Sequence, residues 1–325
     1  MFLALAMVDI SDVRAAQGRI APYVHRTPVL QSKLLNEVAG AQLYFKCENF
    51  QKAGAFKARG ATNAVELLSS QDLSRGVATH SSGNHGAALA WAASVRGVSA
   101  YIVVPNNAKK VKKDAISAYG AEIIECEPTL QARESTLQQV VKETGAEFVP
   151  PYDDERIIAG QGTTALEMLD QVESLDAALV PVGGGGLLAG CLLGFSGSNI
   201  ETYGVEPEGA DDAYRSVESG ERIKAHSPES ICDGLLTTLG ECNFPIIRDL
   251  VADILLVSDE EIIEAMYLLW TRLKIAVESS SAVTFAGLLR HKELFAGKQV
   301  GLVLTGGNVD LRRLPFNSLP VTHHS

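Results

Sequence analysis

The sequence has few cysteines, a deficit of basic residues and only a short apolar run at its N-terminus. Its five cysteines are widely spread and form no C-x-x-C pair, so neither a disulfide scaffold nor a cysteine zinc site is indicated, and a reducing cytoplasm fits best. The formal net charge of −11 argues against nucleic acid and anionic membranes as partners. The apolar residues 1–8 are too few to span a bilayer and lack the basic segment of a signal peptide.

What the sequence does contain is typical of a soluble globular chain. The 325 residues are 46% hydrophobic and 21% charged, which is enough for two hydrophobic cores or one large one. Met7 is an alternative start to Met1, and the sequence leaves the choice between them open. At the other end, we expect the tail from Pro315 to be loose.

Short apolar segments alternate with helical segments from Gly76 onward, and this alternation predicts a parallel sheet wrapped by helices. The predicted strands are Leu43 to Cys47, Val77 to His80, Ala100 to Val104, Ala121 to Cys126, Ala177 to Val182, Thr202 to Glu206 and Gln299 to Leu304. The predicted helices are Asp9 to Tyr23 with Ser11 as its cap, Lys57 to about Leu68, His85 to Arg96, Lys109 to Tyr119, Leu130 to Thr144, Ile158 to Asp170, Gly186 to Leu193, Asp259 to Lys274 and Ser281 to Leu289.

The Pro150-Pro151 pair interrupts this alternation after its third unit. We therefore predict two domains. Residues 76–150 form a small inserted domain, and residues 1–75 together with 151–325 form a large one.

One lysine, Lys57, stands among small and apolar residues just after the Ala53-Gly54-Ala55 turn. A lone lysine on a helix usually faces solvent. Here Phe56 and Ala58 can desolvate the amine, which lowers its pKa and makes it a nucleophile toward carbonyls. The turn also leaves room for a flat ring to approach the backbone. The stretch indicates a Schiff-base lysine, which requires a phosphate site, a ring-nitrogen partner and a carboxylate-binding loop elsewhere in the chain.

The segment from Ser81 to Gly86, read as Ser-Ser-Gly-Asn-His-Gly, follows a predicted strand and opens a predicted helix. Its main-chain N–H groups, aided by the helix dipole, suit a small anion. The alternative is a polar turn with an Asn or Ser cap. Because six small or polar residues cluster where a core could use none of them, we favour a binding loop.

Four successive glycines, Gly183 to Gly186, lie between the apolar strand ending at Val182 and an apolar helix. Ordering four glycines is entropically costly, so an ordinary turn would not use them. They let main-chain amides converge on a phosphate at a helix N-terminus. A flexible linker is disfavoured because both flanking elements are buried. The segment matches neither G-x-x-x-x-G-K-[ST] nor G-x-G-x-x-G, since Leu188 occupies the last position of the latter.

Two further segments carry polar groups that are ambiguous on their own. Thr305 ends the last predicted strand, where a hydroxyl can bond a ring nitrogen or simply belong to a turn. The segment from Glu206 to Asp212 places carboxylates and carbonyls in a tight, non-helical loop. Oxygen ligands favour Mg²⁺, Mn²⁺ or Ca²⁺. From composition alone, a solvated acidic loop is the better interpretation.

Taken together, these motifs resemble a known family. The lysine stretch, Ser81 to Gly86, the four glycines and Thr305 to Asn308 occur in this order in fold-type II pyridoxal-phosphate enzymes. The sequence is most similar to serine racemases and to serine/threonine and 3-hydroxyaspartate dehydratases, from Arg26 to Asp310. The resemblance implies two open, twisted, mostly parallel sheets flanked by helices, as in the tryptophan synthase β subunit.

The resemblance also implies roles for individual positions. Lys57 would hold pyridoxal 5'-phosphate covalently and take the Cα proton, and Ser82 matches the hydroxyl that acts on the opposite face in racemases. The implied cofactor-binding positions are Phe56 beside the ring, Lys57, Asn84 on the phenolic oxygen, Gly183, Gly184, Gly185, Gly186 and Leu187 on the phosphate, and Thr305 on the pyridine nitrogen. The implied substrate-binding positions are Ser81, Ser82, Gly83, His85, Arg133 and Gly234. The implied divalent-cation ligands are Glu206, Ala210 through its carbonyl, and Asp212, which reverses the interpretation from composition.

Three departures from the family pattern stand out. Ala53-Gly54-Ala55 replaces the frequent Thr-Gly-Ser, Ala87 stands where animal racemases carry an ATP-contacting Gln, and Glu278-Ser279-Ser280-Ser281-Ala282 replaces the usual Glu-Pro-containing run. The second departure leaves nucleotide activation open.

The resemblance implies a homodimeric dehydratase that converts serine, threonine or 3-hydroxyaspartate to a keto acid and ammonia, and the cysteine usage predicts that it is cytoplasmic. Serine racemase with side dehydratase activity remains an alternative, because both reactions need the same residues. A non-catalytic binding protein on the same fold is a further alternative, against which Lys57, Asn84 and Thr305 weigh. Arg133 matches an arginine near the substrate in racemases and would meet a second carboxylate, which favours 3-hydroxyaspartate. Substrate stereochemistry and metal identity stay open.

Overall fold

The computed structural model describes residues 8–318, and within them helices alternate with strands. The strands are β1 (Val29–Leu30), β2 (Gln42–Cys47), β3 (Val77–His80), β4 (Ala100–Pro105), β5 (Glu122–Cys126), β6 (Glu147–Phe148), β7 (Ala177–Pro181), β8 (Glu201–Pro207), β9 (Asp253–Val257) and β10 (Gln299–Leu304). The helices are α1 (Ile10–Ile20), α2 (Lys33–Ala39), α3 (Lys57–Glu66), α4 (Ser70–Arg75), α5 (Asn84–Arg96), α6 (Lys110–Ser117), α7 (Leu130–Thr144), α8 (Glu155–Gln171), α9 (Gly186–Phe195), α10 (Asp212–Ser219), α11 (Asn243–Leu250), α12 (Asp259–Leu268), α13 (Ser279–Arg290) and α14 (Lys292–Phe295).

The strands form two sheets. The larger sheet has the order β1-β2-β10-β7-β8-β9, and all its pairs are parallel except β1 with β2. The smaller sheet has the order β5-β4-β3-β6 and is wholly parallel. Every residue of β7 is buried, as expected for a central strand with helices on both faces. The predicted fold class, two mostly parallel sheets flanked by helices, is confirmed.

The smaller sheet uses only strands between residues 77 and 148. These strands lie inside the range 76–150 predicted as the small domain. Whether this part of the chain moves as a separate body stays a prediction.

Most predicted elements are present, with their ends shifted by a few residues. The bounds of β3, β10 and α7 match the prediction. The predicted cap of the first helix is wrong, because Asp9 rather than Ser11 accepts the N–H groups of the first turn and forms a capping box with Asp12. The elements that the sequence pattern missed are β1, β6, β9, α2, α4, α10, α11 and α14. They are short, so their periodicity is weak.

The two chain ends differ from expectation in different ways. Residues 315–318 form a 3₁₀ turn, and the Phe316 ring contacts Tyr267 and Trp270 edge-on. The prediction that the tail is loose from Pro315 is therefore wrong for these residues. The choice between Met1 and Met7 lies outside the described residues. Across residues 8–318, no helix has both the length and the apolar character needed to cross a bilayer.

A cluster of buried charges links α3 to the end of β2 and to α8. Arg59, which is fully buried, forms ion pairs with Glu48 at 2.7 Å and with Glu167 at 2.8 Å. Lys46 is also fully buried and pairs with Glu167 at 2.6 Å. The Thr27 hydroxyl donates to Glu48 at 2.5 Å. Two cations balance two anions and each makes several hydrogen bonds, which offsets the cost of burying these charges.

We predict that Arg59→Met destabilises the protein by about 3–5 kcal/mol, because it leaves Glu48 and Glu167 buried with less compensation. Urea denaturation of the mutant and the wild type measures the difference. Arg75→Met is the matched control, since Arg75 forms an exposed pair with Asp72 and should cost less than about 1 kcal/mol. Equal midpoints for Arg59→Met and Arg75→Met would contradict the importance of this cluster.

Candidate active site

Lys57 is the first residue of α3, and its side chain is partly buried. Its Nζ donates a hydrogen bond to the Pro151 carbonyl at 2.6 Å and lies 5.0 Å from the centroid of the Phe56 ring. Desolvation lowers the pKa of Lys57 to about 8. The neutral, nucleophilic form of the amine is therefore far more populated near neutral pH than for an exposed lysine.

The turn before Lys57 is joined to the end of β10. Ala53 and Gly54 have positive φ angles of 54° and 70°, and a Cβ on Gly54 would lie 2.6 Å from Asn308 Oδ1. The Gly307 N–H donates to the Gly54 carbonyl at 3.0 Å. The Phe56 N–H donates to the Thr305 carbonyl at 2.9 Å. The lysine stretch and the threonine after β10, far apart in sequence, are thus brought together.

Asn84 begins α5 and is fixed by two side chains. Its Nδ2 donates to Glu278 Oε1 at 2.8 Å, and its Oδ1 accepts from Asn308 Nδ2 at 2.9 Å. Burial, with a smaller contribution from Asp233, raises the pKa of Glu278 to about 7. In the sequence analysis, Glu278 appeared only as part of a segment that differs from the family pattern. Its neighbours in the sequence do not show that its carboxyl contacts Asn84.

The loop before α5 and the first turn of that helix offer main-chain N–H groups to a ligand, whereas the ring of His85 is turned inward. The His85 side chain is buried, its Nε2 lies 3.0 Å from the Val149 carbonyl, and desolvation lowers its pKa to about 3. A neutral ring that donates from Nε2 has only a lone pair at Nδ1, so the imidazole has no N–H left for a carboxylate. Ser81 Oγ accepts from the Gly83 N–H at 3.3 Å. Ser82 is half-buried beside it.

The glycine loop lies where β7 meets α9, and its backbone is packed too tightly for side chains. Gly185 has φ +90°, and a Cβ on Gly184 would lie 2.3 Å from the Tyr152 ring. The Asn243 side chain holds the loop by donating to the Gly184 carbonyl at 2.6 Å. The first N–H groups of α9 have no acceptor within their own helix, so they suit an anion. Tyr152 follows Pro151, the acceptor of the Lys57 amine, and so joins the loop to that amine.

Two residues predicted to bind the substrate, Gly234 and Arg133, contact other parts of the structure. The Gly234 N–H donates to Ser280 Oγ at 3.1 Å, at the start of α13. Arg133 lies in α7, and its buried Nε has no hydrogen-bond partner among residues 8–318. Its charge lowers the pKa of His80, after the larger effect of burial. No described contact joins Arg133 to Lys57.

The acidic segment 206–212 begins within β8, and its orphaned oxygen belongs to a residue of that strand. Glu206 is fully buried, and its Oε1 accepts from the Tyr214 N–H at 2.8 Å while its Oε2 has no partner in the described part of the chain. Asp212 Oδ2 accepts from the Leu239 N–H at 2.9 Å. The loop is not wholly non-helical as predicted, because residues 208–210 form a 3₁₀ turn and α10 begins at Asp212.

The donor set of this loop is small. Within residues 8–318, no group of three or more His, Cys, Asp or Glu side chains could hold a metal ion. Glu206 and Asp212 supply two carboxylates, and Ala210 supplies a main-chain carbonyl. A buried carboxylate oxygen without a hydrogen-bond partner fits a hard cation that completes its coordination with water.

Comparison with known proteins agrees with this geometry. The family model described as "Pyridoxal-phosphate dependent enzyme" matches residues 20–306. The chain is 50% identical to the beta-hydroxyaspartate dehydratase of Paracoccus denitrificans, over 94% of this chain and 98% of that protein. It is also 50% identical to a serine racemase of Dictyostelium discoideum, over 94% and 97% respectively. The structure of maize serine racemase superposes with a TM-score of 0.92 at 43% identity, covering 94% of this chain and 95% of that one.

The matched region contains the lysine stretch, the asparagine loop, the glycine loop and the end of β10. The resemblance inferred from the sequence motifs is confirmed. The chain is a member of the pyridoxal-phosphate-dependent enzyme family.

Proposed function

We propose that this protein is a dehydratase that converts a β-hydroxy amino acid to a keto acid and ammonia. The observation that carries the proposal is the desolvated amine of Lys57. Its pKa of about 8 suits both covalent attachment of an aldehyde and proton transfer. The dehydratase relative at 50% identity supports the same reaction class. A non-catalytic role would not explain why this lysine is desolvated and bonded to Pro151, the residue before the tyrosine that packs on the glycine loop.

The residues present fit pyridoxal 5'-phosphate. When bound, this cofactor withdraws electrons from the substrate Cα and so makes its proton acidic. The N-terminus of α9 with Gly183–Leu187 would hold the phosphate, Asn84 the phenolic oxygen and Thr305 the ring nitrogen, with Phe56 packing beside the ring. Lys57 would move the Cα proton. These assignments rest on the tight glycine loop, the fixed Asn84 amide and the buried Thr305 hydroxyl.

The substrate carboxylate would lie at the N-terminus of α5. Ser81, Ser82, Gly83 and His85 would supply donors, with His85 acting through its main-chain N–H because its ring is committed to Val149. Gly234 would line the same space from the α13 side. In this arrangement the carboxylate takes up the N–H groups that the helix itself leaves unpaired.

Serine racemase activity is a second candidate. The half-buried Ser82 hydroxyl precedes the helix that would bind the substrate, and a racemase relative is as similar as the dehydratase. A second base opposite Lys57 would permit return of the Cα proton on either face.

We further propose a cytoplasmic homodimer in which residues 76–150 move as a small domain over the site. The wholly parallel smaller sheet, which has its own strands and flanking helices, supports this division. The acidic net charge and the unpaired cysteines favour the compartment.

We predict that Lys57→Ala lowers keto-acid formation from serine, threonine and 3-hydroxyaspartate isomers by roughly 10⁴-fold, because it removes the proton-transferring group and the covalent link to the cofactor. The wild type should also retain the cofactor through denaturation after borohydride treatment, and the mutant should not. Lys110→Ala, which removes an exposed lysine paired with Asp114, is the control and should resemble the wild type. Near-normal turnover by Lys57→Ala would refute the proposal.

We also propose that Glu206, Asp212 and the Ala210 carbonyl bind a divalent cation. Mg²⁺ at about 100 times its dissociation constant should then stabilise the protein by about 2.7 kcal/mol, and Glu206→Gln should remove most of that gain. Thermal unfolding with and without Mg²⁺ measures it. Glu208→Gln is the control in the same loop, since Glu208 pairs with Arg290. A wild type that Mg²⁺ does not stabilise would refute the site, and an unchanged Mg²⁺ effect in Glu206→Gln would show that the cation binds elsewhere.

We predict that Arg133 recognises the second carboxylate of 3-hydroxyaspartate, because its guanidinium retains an unused buried N–H. Arg133→Ala should raise KM for 3-hydroxyaspartate by roughly 10- to 100-fold, the value of a charged hydrogen bond, and leave KM for serine within about two-fold. Lys142→Ala on the same helix is the control. If Arg133→Ala turns over hydroxyaspartate like the wild type, another cation performs this role.

A further inference from the structure

Glu278 immediately precedes α13, and its side chain does not serve that helix. It occupies the N-cap position, where Ser, Thr, Asp or Asn normally accepts an N–H of the first turn, but its carboxyl makes no such bond. The residue is only 7% exposed, and burying a carboxyl is costly unless it is hydrogen-bonded. Because Glu278 neither caps its helix nor faces solvent, its role must come from contacts with other segments.

The carboxyl of Glu278 lies between α5 and the end of β10. Its Oε1 accepts from Asn84 Nδ2 at 2.8 Å, and a Cβ on Gly306 would lie 2.7 Å from the same oxygen. The Glu278 N–H donates to the Gly306 carbonyl at 3.0 Å. Since Gly306 follows Thr305, this carboxyl contacts one of the two residues proposed to bond the cofactor ring and lies against the neighbour of the other.

The hydrogen bonds of Asn308 determine which way the Asn84 amide is turned. Asn308 Nδ2 donates to the Ala53 carbonyl at 2.9 Å, and because a carbonyl can only accept, this atom must be the amide nitrogen. The same nitrogen lies 2.9 Å from Asn84 Oδ1, which must therefore be the amide oxygen. The Asn84 nitrogen then faces Glu278, whose Oε1 accepts one of its two hydrogens. The second hydrogen has no partner within residues 8–318.

Two hydrogen bonds fix the plane of this amide, whereas one would not. With Asn308 alone, the Asn84 side chain could turn about the single bond to its oxygen. The bond to Glu278 removes this freedom and so sets the direction of the remaining N–H. Both partners follow strands of the larger sheet, whereas Asn84 begins a helix between strands of the smaller sheet. The N–H is therefore oriented relative to the end of β10 and not only relative to α5.

We propose that Glu278 is a positioning residue that turns the remaining N–H of Asn84 toward the phenolic oxygen of the cofactor. This inference rests on the function proposed above, in which Asn84 bonds that oxygen. A fixed N–H donor stabilises the ionised form of the oxygen. Glu278 itself would not contact the cofactor, so its effect depends entirely on Asn84.

The test compares Glu278→Ala with Ser279→Ala in the holoenzyme. Ser279 is the matched control, because it is the next residue along the chain and its Oγ donates to the Ile231 carbonyl at 2.8 Å. We expect Glu278→Ala to weaken binding of pyridoxal 5'-phosphate about five-fold, which corresponds to about 1 kcal/mol, the value of one hydrogen bond. The absorbance band of bound cofactor with an ionised phenolic oxygen should also lose intensity relative to the band of the protonated form. Ser279→Ala should change neither reading.

A double-mutant cycle with Asn84→Ala separates positioning from direct contact. If Glu278 acts through Asn84, Glu278→Ala should have no further effect on affinity or absorbance in the Asn84→Ala background. An equal loss in both backgrounds, or unchanged absorbance in Glu278→Ala, would overturn the inference. Should Glu278→Ala fail to accumulate, Glu278→Met fills a similar volume without a carboxyl and gives the same readings. Wild-type protein that binds no cofactor would instead refute the proposed function itself.

Discussion

The buried charge cluster of Lys46, Glu48, Arg59 and Glu167 is the constraint on which the site depends. Arg59 is two residues from Lys57 on α3, so fixing its guanidinium between Glu48, after β2, and Glu167, on α8, also fixes where α3 begins. Buried ion pairs are costly to assemble, and the hydrogen bonds of Arg59 to both Glu48 and Glu167 hold its guanidinium in one place. A desolvated amine needs such a rigid support, because a mobile helix would return Lys57 to water and restore its ordinary pKa.

Close main-chain contacts complete the arrangement around that amine. Gly54 and Gly307 join the lysine turn to the end of β10, and Gly184 leaves room for the Tyr152 ring. Any Cβ at Gly54 or Gly184 would collide with these neighbours. The glycines therefore let segments approach that are distant in the sequence, and those of the glycine loop would also expose N–H groups to the proposed phosphate. Asn84, Glu278 and Asn308 then bind one another across the remaining gap.

The sequence predicted the fold class and several core elements, because a long periodic pattern of apolar residues can be recognised from neighbouring residues alone. Strand β10 and helix α7 were located to the residue, whereas short elements such as β9 and α11 were missed. The lysine and glycine motifs were recognisable since their composition is unusual for a core. By contrast, Arg59 and Glu278 look ordinary in sequence. Their importance arises from partners far along the chain, which pattern alone does not show.

The identity of the ring-nitrogen partner bears on which reaction follows. As the proposed partner, the Thr305 hydroxyl would leave the nitrogen without the full positive charge that a carboxylate partner stabilises, so electron withdrawal from the substrate would be weaker. Under that condition, rapid loss of a β-hydroxyl would be favoured over slower reactions at Cα. Dehydratase and racemase relatives are both 50% identical to this chain. Because both proposed reactions would use Lys57, we expect their balance to depend on the groups around it, such as Thr305 and Ser82.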